Sequence, residues 1–196
     1  MDRLTNQLDF ILEIDKLKQI LRRSLITDGS RRENDVEHSW HLAVMVTLLS
    51  EYAVEPVDLM RTVKMVLIHD VVEIDAGDTI IYDTGAREEV VQAEQVAADR
   101  IFALLPDDQF AEFRALWDEF EQRITPEARF ARALDRLQPI MLNVATQGRT
   151  WRENKVTFDR VMALNRPIVQ AGAPSLVPFL EQLLLDARDK GYFHDE

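Results

Sequence analysis

Residues 56–72 read PVDLMRTVKMVLIHDVV. Pro56 suits the first position of a helix, and Val63 to Ile68 is apolar except at Lys64. A helix that is apolar on nearly all sides is a buried one, so we expect this helix to lie at the centre of the protein. The polar pair His69-Asp70 stands at its C-terminal end, where burial is costly unless the pair is neutralised or binds a metal.

Apolar residues recur every three or four positions along most of the chain, which predicts helices almost throughout. The 196 residues include only 6 glycines and 7 prolines, and no run of alternating β-branched residues predicts a strand. Besides 56–72, we expect helices over 4–22, from Asn34 to about Leu49, over 87–104 and 107–122, from Thr125 to about Gln147, and over 153–166 and 174–189. A loop is expected from Asp75 to near Ala86, and a kink at Pro139.

Length and composition indicate an all-α, single-domain protein, because 196 residues fit one domain and no linker or repeat marks a boundary. The net charge of −12 makes long nucleic acid and anionic membranes unsuitable partners. The absence of cysteine excludes disulfides, thiolate nucleophiles and iron–sulfur clusters. No apolar stretch of about 20 residues and no secretory pattern is present, so we expect a cytoplasmic protein.

Four residues carry the candidate chemistry: His38, His69, Asp70 and Asp135. Imidazole and carboxylate groups suit Mn, Fe, Co, Ni or Zn where thiolates are lacking, so these four side chains could hold one such ion. The alternative for His69 and Asp70 is a structural ion pair at the end of a buried helix. The alternative for His38 or Asp135 alone is a cap or a hydrogen-bonded core group.

The order His38, then His69-Asp70, then Asp135 resembles the H…HD…D signature of the HD-domain metal-dependent phosphohydrolases. Residues 32–39, RENDVEHS, and 69–78, HDVVEIDAGD, are similar to the branch that contains the YfbR-type 5′-deoxynucleotidases. The resemblance covers a motif-bearing core of about residues 8–145, which the helices at about 153–189 follow. It implies one all-α HD domain over residues 1–196, in which the four candidate residues bind a single divalent metal.

The resemblance also implies roles for residues around the metal. Glu73 and Asp78 match positions that orient or activate the attacking water, and Arg23 matches an arginine that contacts the substrate phosphate. Arg22 is adjacent, which leaves a shift of one residue open. Ser24 stands where the YfbR-type enzymes carry a tryptophan beside the sugar, so the sugar preference is also open. Without the resemblance, Glu73 is a helix-end acid, Asp78 a turn residue, and both arginines are cations at a helix C-terminus.

The implied activity is removal of the 5′-phosphate of (deoxy)nucleoside monophosphates, with one divalent metal ion (Mn, Co, Mg, Fe, Ni or Zn). A small nucleotide is the expected substrate, and a homodimer is the expected assembly. Two alternatives stay open: an HD-type hydrolase of another phosphate ester (a nucleoside triphosphate, a cyclic dinucleotide or an alarmone), and a non-catalytic helical module that binds metal. Glu73 and Asp78 favour catalysis, because a structural metal needs no extra loop carboxylates. His41 is expected to support the site from outside or to be structural.

Overall fold

The computed structural model describes residues 2–77 and 87–194. Ten α-helices and one two-stranded sheet make up this part of the chain. In chain order the elements are α1 (Arg3–Ile14), β1 (Leu21–Leu25), β2 (Arg32–Asn34), α2 (Asp35–Leu49), α3 (Leu59–Ile68), α4 (Glu73–Ala76), α5 (Arg87–Phe102), α6 (Asp107–Gln122), α7 (Pro126–Ala145), α8 (Arg149–Glu153), α9 (Phe158–Gly172) and α10 (Val177–Asp189). None of the described helices has the length and apolar character that crossing a membrane requires.

The central helix is α3, as the apolar run predicts. Met65 and Val66 are fully buried, and α3 packs against α2, α6 and α7. The helix begins at Leu59 rather than Pro56, because the Asp58 side chain accepts a hydrogen bond of 3.0 Å from the backbone N–H of Arg61. Such a cap satisfies a donor that the first turn of a helix leaves without a partner.

The start of α2 is also confirmed. The Asn34 side chain accepts from the N–H of Glu37 at 3.0 Å, and the Glu37 side chain accepts from the N–H of Asn34 at 3.2 Å. This reciprocal capping box fixes where the helix begins. It therefore also fixes the orientation of His38, the fourth residue of α2.

The predicted helix over 4–22 is wrong in its second half. Helix α1 ends at Ile14, a 3₁₀ turn follows, and β1 pairs antiparallel with β2, with Leu21 opposite Asn34. Gly29, at φ +70°, makes the turn between the two strands. The strands are too short and too polar to show an alternating pattern, whereas Leu21 and Leu25 continue a helical spacing that the backbone does not follow.

Helix α7 begins where predicted, after the cap at Thr125, and continues as one helix through Pro139. The prediction of a helix over 153–166 is wrong in its bounds, because α8 ends at Glu153 and α9 covers Phe158–Gly172. Thr157 caps the start of α9, and the helix extends past Pro167 because it packs along α7. The predicted helix over 174–189 is present as a 3₁₀ turn followed by α10.

Helices α7 and α9 approach each other closely at Gly172. A Cβ atom at this position would lie 2.0 Å from the backbone oxygen of Arg129 and 2.9 Å from the Cβ of Ala133. Neither neighbour is the flexible end of a side chain. The helix pair that carries Asp135 therefore requires glycine at this position.

We predict that Gly172→Ala lowers the free energy of unfolding by about 1–3 kcal/mol, because overpacking forces two helix backbones apart. Urea denaturation measures the effect. Where a helical glycine has free space around it, its replacement by alanine instead raises the free energy of unfolding, because alanine is favoured in a helix by about 1 kcal/mol. Ala171→Gly, at the exposed neighbouring position, is the matched control, and a stabilised Gly172→Ala protein would contradict the close contact.

Candidate metal centre

The side chains of His38, His69, Asp70 and Asp135 converge where α2, the end of α3 and α7 meet, and all four are buried. His38 Nε2 lies 3.1 Å from Asp135 Oδ1, and His69 Nε2 lies 3.8 Å from the same oxygen. Asp70 Oδ1 is 3.0 Å from His69 Nε2. His38, His69 and Asp135 each offer one ligand atom within 4.8 Å of the other two, so they form a group that could hold a metal ion.

Backbone and aromatic contacts fix the ring of His69. Its Nδ1 lies 2.8 Å from the backbone oxygen of Val66, which can only accept, so Nδ1 carries a proton and Nε2 is the nitrogen that faces the carboxylates. The Trp117 indole N–H donates to the backbone oxygen of His69 at 3.1 Å, and the Phe120 ring packs edge-on to the imidazole at 4.8 Å. Helix α6 thus holds this imidazole in place.

The donor set fits a divalent metal. Among the described residues, His69 Nε2 is buried without a well-directed hydrogen bond, although Asp70 Oδ1 is 3.0 Å away. A buried nitrogen in this state costs free energy that a metal ion can recover. Two imidazoles and two carboxylates are also ligands that suit first-row divalent ions. His38, His69 and Asp135 therefore have both the position and the chemistry to bind one ion, and Asp70 lies directly beside them.

The four residues perturb one another's pKa values. Burial and then the cation of Arg22 lower the pKa of His38 to about 4. Burial also disfavours charge on His69, but Asp70 and Asp135 outweigh it and raise the pKa of His69 to about 10. Burial opposes ionisation of Asp70, yet His69 and Arg22 keep its pKa below the ordinary range. The carboxylates therefore stay ionised and available as ligands.

Arg22 lies beside the carboxylates of this cluster. Its Nη1 is 2.7 Å from Asp70 Oδ2 and 3.2 Å from Asp35 Oδ1, and its Nη2 is 3.9 Å from Asp135 Oδ1. These carboxylates, with Asp70 contributing most, overcome burial and raise the pKa of Arg22, which is therefore always charged. Arg23 is exposed.

The structure thus places Arg22 next to the cluster and leaves Arg23 outside it. Successive residues of a strand point to opposite faces, so only one of two neighbouring arginines in β1 can face the carboxylates. Because a helix was predicted up to residue 22, side chains on opposite faces of a strand were not expected at Arg22 and Arg23. The position expected for Arg23 is therefore occupied by Arg22.

Glu73 is the first residue of α4, and its backbone N–H donates to the oxygen of Asp70 at 2.9 Å. Its side chain is half-buried and close enough to Arg22 to contribute to the raised pKa of that arginine. Asp78, the other predicted catalytic carboxylate, lies outside the described residues. Gly77 precedes it in a backbone conformation at φ +75° that favours glycine.

Arg132 and Glu94 are among the charged residues beside the cluster that were not predicted from the sequence. Arg132 Nη1 lies 3.2 Å from Asp135 Oδ2, on the same helix and one turn earlier. Glu94 of α5 is half-buried, and burial followed by the charge of Glu121 raises its pKa to about 7. The spacing of Arg132 and Asp135 is a detectable i, i+3 signal. Glu94 has no such signal, because only tertiary packing places it near Arg132 and Asp70.

A buried polar network lies behind His38. The side-chain nitrogen of Gln138 donates to Glu33 Oε1 at 2.7 Å and lies 3.1 Å from His41 Nδ1. The side-chain oxygen of Gln138 lies 3.0 Å from His38 Nδ1. His41 therefore contacts Gln138, and it is not one of the three residues whose ligand atoms form the group that could hold a metal.

The family model for the HD domain matches residues 14–177. The chain belongs to the HD domain family. Curated relatives of this HD domain include the 5′-deoxynucleotidase HDDC2 of Xenopus laevis and that of Homo sapiens, each 30% identical over 135 residues. Each match covers 68% of this chain, and the chain spans 66% and 65% of the length of the two relatives.

Solved structures support the same assignment. This HD domain is similar to a predicted metal-dependent phosphohydrolase from Magnetospirillum magnetotacticum MS-1, with a TM-score of 0.93, 52% sequence identity, and coverage of 98% of this chain and 96% of that one. A conserved hypothetical protein from Pyrococcus furiosus, 21% identical, shares the fold at a TM-score of 0.56 over 93% of this chain and 99% of its own. The all-α HD fold and the family resemblance predicted from the sequence are confirmed.

We predict that Glu94→Gln gains stability relative to the wild type as the pH rises. The pKa of Glu94 is raised to about 7 in the folded protein, so folding opposes its ionisation and costs stability progressively between about pH 4.5 and 7. The variant removes this cost, and its advantage should be about 1–3 kcal/mol larger at pH 8 than at pH 4.5. Urea denaturation with a chelator present measures the difference.

Glu89→Gln is the control for this experiment, because Glu89 is an exposed carboxylate on the same helix. A stability difference between Glu94→Gln and wild type that is the same at both pH values would contradict the raised pKa.

Proposed function

We propose that this HD domain protein is a metal-dependent phosphohydrolase that removes the 5′-phosphate from (deoxy)nucleoside monophosphates. The observation that carries the proposal is the buried group formed by His38, His69 and Asp135, whose ligand atoms lie within 4.8 Å of one another, with the buried Asp70 beside His69. The names of the relatives support it, since they include a 5′-deoxynucleotidase and a predicted metal-dependent phosphohydrolase.

His38, His69, Asp70 and Asp135 are the residues that would hold the metal. A divalent ion at such a site supplies positive charge to a phosphate oxygen and lowers the pKa of bound water. Both carboxylates stay ionised, and the Nδ1–H bond to Val66 leaves Nε2 as the nitrogen of His69 that faces them and that would exchange its proton for the metal. The contacts of α6 with His69 hold that geometry in advance.

Arg22 is the residue that meets the phosphate. A guanidinium can donate two parallel hydrogen bonds to phosphate oxygens, and Arg22 is already held beside Asp70 at the edge of the cluster. In a protein with a net charge of −12, an anionic substrate needs local positive potential to enter. Arg22 provides it on the side of β1, and Arg132 lies on the side of α7.

Glu73 is positioned to handle the proton of the attacking water. It follows Asp70 by one helical turn, and its carboxylate is close to Arg22, the proposed phosphate contact. When water attacks phosphorus, its oxygen forms the new bond to the phosphate and a proton goes to Glu73, while the bond to the 5′-oxygen breaks and that oxygen takes up a proton from solvent water. The products are a nucleoside and inorganic phosphate. A role for Asp78 in the same step stays a prediction, as do the homodimer, the cytoplasmic location and the identity of the metal.

We predict metal-dependent phosphate release from a panel of ribo- and deoxynucleoside mono-, di- and triphosphates tested with Mn²⁺, Co²⁺ and Mg²⁺. Monophosphates should be the preferred substrates. Asp70→Ala should abolish turnover and lower metal content, because it removes a ligand and leaves Arg22 without its closest carboxylate. The proposal fails if no nucleotide releases phosphate with any metal, or if Asp70→Ala keeps wild-type rate and metal content.

We further predict that Arg22→Lys and Arg23→Lys differ in effect. Lysine keeps the charge that Asp35 and Asp70 require, so both variants should fold, but it cannot form a bidentate contact to phosphate. Arg22→Lys should lower kcat/KM by about 10–100-fold, equivalent to about 1.4–2.7 kcal/mol of lost transition-state stabilisation. Arg23→Lys should stay within about threefold of wild type, because an exposed charge of this kind contributes less than about 1 kcal/mol. Equal losses in the two variants would contradict the assignment of Arg22.

A further inference from the structure

The amide of Gln138 lies between three ionisable side chains in the interior of the protein. The side chains of Gln138 and His38 are fully buried, and that of Glu33 is almost fully buried. All of the polar atoms of the amide have partners: Nε2 faces Glu33 Oε1 and His41 Nδ1, and Oε1 faces His38 Nδ1. A buried amide whose nitrogen and oxygen are both hydrogen-bonded imposes donor and acceptor roles on its neighbours.

Glu33 fixes the orientation of this amide. Burial raises the pKa of Glu33 to about 7, so above that pH it is a carboxylate that offers only acceptors, and the atom of Gln138 that faces Glu33 Oε1 at 2.7 Å is then the nitrogen. The oxygen of the amide is then the atom that faces His38, and it can only accept. Glu33 Oε2, at 3.9 Å from His38 Nδ1, is a second acceptor on the same side of the ring.

This orientation gives opposite tautomers to the two histidines of α2. His38 Nδ1 must carry a proton to donate to Gln138, which leaves the Nε2 lone pair pointing towards Asp135 and the metal centre. His41 Nδ1 must accept from the amide nitrogen of Gln138, so the proton of His41 is on Nε2. One amide thus distinguishes two histidines that are three residues apart.

The tautomer of His38 matters because its other nitrogen lies between carboxylates. Asp135 Oδ1 is 3.1 Å from His38 Nε2 and Asp70 Oδ2 is 3.9 Å away, and both would accept a proton from that nitrogen. A proton on Nε2 would block the lone pair that a metal needs. A hydrogen-bond acceptor that faces Nδ1 keeps the proton on Nδ1 and off Nε2. The side-chain oxygen of Gln138 is such an acceptor, 3.0 Å from His38 Nδ1.

We propose that Gln138 is a positioning residue for the metal centre: it holds His38 as the Nδ1–H tautomer that presents Nε2 to the metal, and it holds His41 in the opposite tautomer. The proposal rests on the metal-dependent function proposed above for the same site. It adds a residue that touches no substrate and acts through a ligand, with Glu33 as the group that orients it.

Zinc affinity tests the proposal without turnover. In Gln138→Leu the binding of Zn²⁺, measured by calorimetry with the metal alone, should weaken by about 10–100-fold, the range seen when an outer partner of a ligand is removed. Asn143→Leu is the matched control, because Asn143 is a buried amide on the same helix that bonds Pro139 and Thr150 and none of the four candidate ligands. Its Zn²⁺ affinity should not change, even if both variants lose stability to the same extent.

Nitrogen NMR of the imidazole rings shows which ring nitrogen carries the proton. A residue that only stabilises the fold would not change this protonation pattern. The chain has four histidines, so a ¹⁵N-histidine sample gives a simple spectrum. In the Zn²⁺-loaded wild type, His38 should carry its proton on Nδ1 and His41 on Nε2. The double variant Glu33→Gln with Gln138→Glu exchanges amide and carboxylate, so His41 should change to Nδ1–H while His38 stays Nδ1–H, with Zn²⁺ affinity within about threefold of wild type.

Wild-type Zn²⁺ affinity in Gln138→Leu, or a His41 tautomer that does not change in the exchanged variant, would overturn the proposal. These outcomes are separate from failure of the proposed function. A wild-type protein that binds Zn²⁺ with the expected tautomers but hydrolyses no nucleotide would refute the phosphohydrolase and leave the role of Gln138 intact.

Discussion

A guanidinium and three carboxylates face one another in the interior of this protein, and the arrangement of the surrounding helices depends on that contact. Arg22 lies within 4 Å of Asp35, Asp70 and Asp135, which come from α2, the end of α3 and α7. Removing such charges from water is costly, and it is tolerated only when each charge keeps a partner of opposite sign. The three helices and the strand β1 must therefore meet in one geometry. This geometry also brings His38 and His69 next to the carboxylates.

The metal-binding part of the site could be predicted because its residues stand in recognisable local settings. His38 follows a capping box that the sequence shows, and His69-Asp70 follows an apolar run that could only be a buried helix. Asp135 lies on a helix whose start, at Thr125 and Pro126, is equally visible. Local rules thus place each of these residues on an element, and the family signature supplies the expectation that the elements meet.

The parts that sequence reasoning missed depend on pairing across the fold. Strand β1 has no alternating pattern, so the choice between Arg22 and Arg23 was open until the antiparallel partner was known. Glu94 and Gln138 have ordinary helical neighbours in sequence, and what makes them unusual is the side chains opposite them: Arg132 and Asp70 for Glu94, Glu33 and His38 for Gln138. Neither spacing nor composition encodes such contacts.

The two-stranded hairpin has a consequence for how this chain can vary in length. Because side chains alternate between exposed and half-buried from Leu21 to Arg23, a single residue inserted between the 3₁₀ turn and Arg22 would rotate that arginine to solvent and turn its neighbour inward. The same insertion in the turn around Gly29 would leave both strands in register. Length variation in natural relatives should therefore be tolerated at the tip of the hairpin and excluded from its base, and an alignment that puts a gap before Arg22 would assign the proposed phosphate contact to the wrong residue.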